Sequence, residues 1–132
     1  MTATVMIVED DEMIREMMDI ALSQAGYCVV AVGSGESALD LLKRTRVSLV
    51  LLDIHMPQMS GLDVLMALAR MGRPAPPVLM VTANRHAETV AEAIRLGCVG
   101  YMAKPFAPDD LLGRVARVLA VRPTVRADCV DI

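Results

Sequence analysis

Five short apolar runs alternate with amphipathic segments along this chain, and that alternation limits the fold more than any other feature of the sequence. The runs are Thr4 to Val8, Cys28 to Val32, Leu49 to Asp53, Val78 to Thr82 and Val99 to Ala103. Most are hydrophobic at every position rather than at alternate ones, which suits strands of a parallel sheet covered by helices on both faces. The pattern predicts an α/β domain of five βα units, a doubly wound parallel five-stranded sheet.

The segments between the runs carry helical spacing and its punctuation. Ile14, Met17, Met18, Ala21 and Leu22 form one stripe, which Gly26 ends. Ala38, Leu41 and Leu42 mark a second. Leu62, Leu65, Met66, Leu68 and Ala69 mark a third, after Ser60 and Asp63 at capping-box spacing. Val90, Ala91, Ala93 and Ile94 mark a fourth, closed by Gly97. Pro108, with Asp109 and Asp110 near the positive helix end, opens a fifth whose face is Leu111, Leu112, Val115, Val118 and Leu119. Ala107, just before it, offers no capping side chain, so this start is expected to be looser.

With 132 residues the chain is the size of one domain, expected over residues 1–121, and the aperiodic tail 122–132 is expected to be disordered. The stretch RMGRPAPPV reads as a stiff connection rather than a linker between domains. One Phe, two Tyr and no Trp among 55% hydrophobic residues make the core aliphatic, with most of the eleven Met as filler. Thirteen basic and sixteen acidic residues give a net charge of −3 with no basic block, which argues against nucleic acid and anionic membranes as partners. The start, MTATVMIVEDDE, has no basic region and too short an apolar run for a signal or a span, so a cytoplasmic location is expected. Cys28, Cys98 and Cys129 lack metal-site spacing and read as reduced thiols.

In an open parallel sheet, ligands bind outside the carboxyl ends of the strands. The residues there are Glu9 and Asp10 after the first strand, Asp53 after the third, Thr82 after the fourth and Lys104 after the fifth. Taken singly, Asp53 is a turn or capping carboxylate, Glu9 and Asp10 favour a helix start, Thr82 ends a strand and Lys104 is a surface charge. Their coincidence at different strand ends favours one site. Three carboxylates in one crevice repel unless cations offset them, and hard oxygen donors without thiols or several imidazoles point to Mg²⁺. Mg²⁺ and the Lys104 ammonium together would hold a phosphoryl group against an aspartate able to carry it as an acyl phosphate. The Thr82 hydroxyl and the Ala83 amide can each donate to a phosphoryl oxygen.

The stretches VMIVEDDEMIRE, LVLLDIHMPQMSGLDVL, VLMVTA and GYMAKPF, in this order, resemble the receiver domain of two-component response regulators. The resemblance runs from about Val5 to Ala120. It implies the flavodoxin-like strand order 2-1-3-4-5, with Asp53 as the phosphoacceptor. It also implies Mg²⁺ held by Asp10, Asp53 and the His55 backbone carbonyl, with Glu9 acting through water. Thr82 and Lys104 match the family's switch hydroxyl and lysine, Tyr101 its switch aromatic, and Lys104-Pro105 its cis peptide, which would aim the lysine inward. His55 and Asn84 stand at the two positions that tune phosphate lifetime in the family. Asp11 begins the next loop and is not assigned as a ligand, and the His86 side chain is read as solvent-facing.

The function implied is phosphorylation of Asp53 by a histidine kinase or phosphotransfer protein. The fourth helix, fifth strand and fifth helix would then switch toward a protein target or a second copy. Such a chain is a signalling domain rather than an enzyme, with at most slow self-dephosphorylation. It would be a stand-alone regulator acting by protein contact, or the receiver part of a larger regulator with a separate output domain. An aspartyl-phosphate hydrolase is a weaker fit, because Ile54 and His55 follow Asp53 and supply no second carboxylate. A flavin carrier fits less well still, since Glu9, Asp10 and Asp11 after the first strand would repel its phosphate.

Overall fold

The computed structural model describes residues 2–71 and 74–120. The elements run β1 Thr4–Val8, α1 Glu12–Gln24, β2 Cys28–Val32, α2 Gly35–Leu42, β3 Leu49–Leu52, α3 Gly61–Ala69, β4 Val78–Thr82, α4 Ala87–Arg95, β5 Gly100–Ala103 and α5 Pro108–Ala120. All strand pairs are parallel and the sheet order is β2-β1-β3-β4-β5. This is the doubly wound, flavodoxin-like arrangement expected from the sequence.

The sheet divides its apolar residues by parity. Met6, Val8, Val50, Leu52, Val78 and Met80 face one way, against Ala38 and Leu42 of α2, Val64, Leu65 and Leu68 of α3 and Ala93 of α4. Val5, Ile7, Leu49, Leu51, Leu79 and Val81 face the other way, against Met18 and Leu22 of α1 and Leu111 and Val115 of α5. Successive strand residues point to opposite faces, so a strand covered on both sides must be apolar throughout. That is why the runs were unbroken. Burying aliphatic side chains of this size stabilises by about 1.5–3 kcal/mol each.

Helix ends follow the local chemistry. Asp11 caps α1 by accepting from the Ile14 N–H, and Ser34 caps α2 by accepting from that of Ser37. The Ser60–Asp63 capping box is present at α3. Gly26 and Gly97, at φ 99° and 102°, close α1 and α4 in the left-handed conformation that glycine adopts without strain. α5 begins at Pro108 as expected, with the Ala107 carbonyl accepting from the amides of Asp110 and Leu111. Two strand ends move by one residue: β3 stops at Leu52 and β5 starts at Gly100. Strand ends carry few ladder bonds, and side-chain type alone does not mark them.

Cys98 is a free thiol, whereas Cys28 is disulfide-bonded, which corrects the reduced-thiol reading for that residue. Sequence spacing does not say which distant segments meet, so it could not show this. Cys129, the tail 122–132 and residues 72–73 of the Pro-rich connection lie outside the described residues. No helix among the described residues is long and apolar enough to cross a membrane.

Thr4, at the amino end of β1, is fully buried, and its hydroxyl oxygen has no hydrogen-bond partner among the described residues. A buried hydroxyl without a partner costs free energy that a methyl group of similar size does not. Thr4→Val is expected to stabilise the fold by about 1 kcal/mol, read as a thermal midpoint raised by about 4 °C. A lowered midpoint would show that the hydroxyl is satisfied after all.

Candidate functional site

The strand order carries β1 and β3 side by side at the centre of the sheet, so the residues that follow them are neighbours. Asp53 continues the pairing one step past β3, its N–H donating to the Val8 carbonyl at 3.1 Å. Glu9 does the same past β1, its N–H reaching the Val32 carbonyl at 3.1 Å. Glu9, Asp10 and Asp53 thereby offer carboxylate oxygens that all lie within 4.8 Å of one another. Glu9 and Asp53 are buried at 2% and 6% exposure, and Asp10 is exposed at the mouth.

Lys104 reaches in from the far side. It follows β5, and its backbone N–H donates to the Thr82 carbonyl at 3.0 Å, which ties it to the end of β4. Its ammonium donates to Asp53 Oδ2 at 2.9 Å and to Glu9 Oε1. The Lys104-Pro105 bond is cis. Burial disfavours the ammonium charge, but its hydrogen bonds to Glu9 and Asp53 and their negative charges outweigh that and raise the Lys104 pKa. Burial likewise raises the pKa of Glu9, with the Asp53 charge adding to it, against the hydrogen bonds from Lys104 and the Asp11 amide.

Three carboxyl groups share one ammonium in a partly dry crevice, so negative charge there exceeds what Lys104 offsets. Such a remainder calls for a divalent cation rather than a second lysine. The donors are hard oxygens, and among the described residues the cluster contains no thiol or imidazole. The donor set therefore fits Mg²⁺.

A second network runs over the loops beside this cluster. Asp53 Oδ1 accepts from the His55 N–H at 3.3 Å. The Asn84 side-chain amide lies 3.1 Å from His55 Nε2, joining the loop after β3 to the loop after β4. Asn84 Oδ1 accepts from the His86 N–H at 2.9 Å, which turns the Asn84 NH₂ toward His55 and makes Nε2 the acceptor there. The Asn84 N–H donates to the hydroxyl of fully buried Thr82 at 3.3 Å, and its carbonyl accepts from the Tyr101 hydroxyl at 2.7 Å. Burial raises the pKa of half-buried Tyr101, helped by the charges of Cys98 and Asp53, so its hydroxyl stays a donor.

Of the residues singled out by sequence, Glu9, Asp10, Asp53 and Lys104 form one cluster. Thr82, Tyr101, His55 and Asn84 form the network attached to it. Sequence reasoning missed three contributions. Asp11 both caps α1 and donates its amide to Glu9 Oε2 at 3.1 Å, a role the N-cap pattern Asp-x-x-Ile could have signalled. Asn84 links four residues at once, which nothing in its sequence position marks. Gly61 is more than a turn residue: a Cβ built on it would stand 2.2 Å from the Asp53 carbonyl oxygen, while its N–H donates to the Ile54 carbonyl at 2.9 Å. The start of α3 is pressed onto the backbone of Asp53.

Comparison with known proteins agrees with this fold. The family model described as response regulator receiver domain matches residues 5–116. The response regulator protein FleR of Pseudomonas aeruginosa is 43% identical over 117 residues, covering 89% of this chain and 24% of FleR. The probable transcriptional regulatory protein TcrX of Mycobacterium tuberculosis is 36% identical, covering 88% of this chain and 49% of TcrX. The chain thus spans about a quarter to a half of these relatives. Among solved structures, the chemotaxis protein CheY4 of Vibrio cholerae matches with a TM-score of 0.84 at 32% identity, over 89% of this chain and 99% of that one.

The approach of Gly61 to Asp53 yields a test. Gly61→Ala is expected to destabilise by about 2 kcal/mol or more, since backbone rather than a flexible side chain must move. Thermal unfolding checks it, and a midpoint within 1–2 °C of the parent, roughly the size of measurement scatter for a neutral surface change, would contradict it.

Proposed function

This chain belongs to the response regulator receiver domain family, and from that premise we propose that it accepts a phosphoryl group on Asp53 from the phosphohistidine of a histidine kinase or phosphotransfer protein. The observation that supports this most directly is the ammonium of Lys104 shared between Asp53 and Glu9, with Asp10 beside them. It gives one carboxylate a fixed cation on one side and an oxygen-lined space for a second cation on the other.

In the transfer, an Asp53 carboxylate oxygen attacks phosphorus as the phosphorus–nitrogen bond of phosphohistidine breaks. The electron pair goes to the imidazole, which takes up a proton, and an acyl phosphate remains on Asp53. The chemistry asks for positioning and charge neutralisation rather than a general base. Lys104 supplies a fixed positive charge against the phosphoryl oxygens, and the Thr82 hydroxyl is a donor free to turn toward them. Asp10, Asp53 and the His55 carbonyl would hold Mg²⁺, with Glu9 in the same cluster. The metal, when bound, would neutralise phosphoryl charge.

The new charge at Asp53 competes for the Thr82 hydroxyl, whose oxygen now accepts from Asn84. Asn84 also holds Tyr101 and the amide of His86 at the start of α4, so this shift is passed to α4, β5 and α5 as a change in population. That face would bind a protein target or a second copy, in the cytoplasm. Contact between His55 and Asn84 beside the acceptor sets phosphate lifetime, and self-dephosphorylation is slow. The same reading holds for a chain that stands alone and for one that is part of a longer regulator such as FleR or TcrX.

Incubation with acetyl phosphate and Mg²⁺ is expected to add one phosphoryl group, seen by intact mass, and chelation of the metal should prevent it. Asp53→Ala is expected to abolish labelling. Lys104→Ala should slow it by roughly 10²-fold, as for loss of one charge-stabilising donor. Undiminished acyl phosphate in Asp53→Ala would sink the assignment, and steady turnover of small phosphate esters would favour a hydrolase instead.

A further inference from the structure

Glu9 is anchored at every polar atom. Its N–H meets Val32, its carboxylate meets the Asp11 amide and Lys104, and its backbone carbonyl accepts from Arg15 Nη1 at 2.9 Å. The last contact is unlike the others. Arg15, in α1, forms no salt bridge among the described residues, although Glu12 and Glu16 flank it in sequence. Its guanidinium is committed to a main-chain oxygen instead.

That oxygen belongs to the peptide joining Glu9 to Asp10, two of the three clustered carboxylates. Because the peptide is planar, fixing its carbonyl fixes the direction in which the Asp10 backbone leaves. The guanidinium has a matching seat on the other side, at Gly33 between β2 and α2. A Cβ built on Gly33 would stand 3.0 Å from Nη1, 3.7 Å from Cζ and 3.9 Å from the Glu9 carbonyl oxygen. Gly33 does not have a positive φ, unlike Gly26 and Gly97, so its backbone conformation does not require glycine. What stands close to it is the tip of the Arg15 side chain.

We propose that Arg15 is a positioning residue for the acidic cluster, clamping the Glu9–Asp10 peptide from α1 with Gly33 as its seat, so that both carboxylates stand ready for a divalent cation. The inference rests on the cluster being the cation site of the phosphoacceptor reading. The sign of the effect separates positioning from charge. As a nearby positive charge, Arg15 repels a dication, and deleting it on that ground alone would tighten Mg²⁺ binding. As a clamp, its loss weakens binding, as removal of an outer-shell partner does.

Mg²⁺ titration of the full chain, followed calorimetrically and by amide NMR, tests this. Arg15→Met is expected to weaken Mg²⁺ binding about tenfold, with the largest metal-free amide shifts at Asp10 and Asp11. Gly33→Ala, which keeps the arginine but crowds it, should weaken binding in the same direction. The double variant should lose little beyond Arg15→Met, because both changes break one contact. Unchanged or tighter binding in Arg15→Met, or full additivity of the two changes, overturns the clamp. If Arg15→Met does not fold, Gly33→Ala decides alone: weakened binding supports the clamp and unchanged binding overturns it. Absence of Mg²⁺ binding by the parent chain overturns the cation-site reading itself, and the clamp with it.

Discussion

Glu9, Asp10 and Asp53 are held together against their mutual repulsion, and the rest of the site is arranged around that fact. The sheet forces the encounter, since β1 and β3 are adjacent and buried on both faces, so the residues leaving them have little freedom to separate. A fold that concentrates like charges at one edge needs a built-in counter-charge. Lys104 is that charge, and it is nearly as buried as the carboxylates it joins, with 12% of its side chain exposed. The pairing raises its pKa despite burial, so the ammonium stays charged through the physiological range.

Around this ion pair the backbone is fixed at short range. Gly61 lies against the Asp53 carbonyl, Asp11 turns its amide to Glu9, and Asn84 gathers Thr82, Tyr101, His55 and the first amide of α4. A site built this way couples easily to distant elements. Through Asn84 only a few hydrogen bonds separate the end of β4 from β5 and the start of α4.

Much of this was legible before any coordinates. The unbroken hydrophobicity of Val5 to Val8 and Leu49 to Leu52 announced strands covered on both sides, and Gly26, Ser60, Gly97 and Pro108 marked helix ends where they occur. The residues of the site were legible for a similar reason: polar groups directly after apolar strands of a parallel sheet can only face the same edge. The state of Cys28 was not legible, because cysteine spacing alone does not say which thiols are bonded.

The sequence by itself determined the fold class, most strand ends and which polar residues stand after the strands, because these follow from periodicity and from residue type at a strand terminus. Only the tertiary structure decided which atoms meet. That Lys104 divides its ammonium between Glu9 and Asp53, that Asn84 touches His55, that Gly61 must lack a side chain and that Arg15 grips the Glu9 carbonyl all depend on distances of 2–4 Å between separate elements. Linear spacing carries no such distances; they are fixed only when two layers of helices close on the sheet and leave each side chain one place to go.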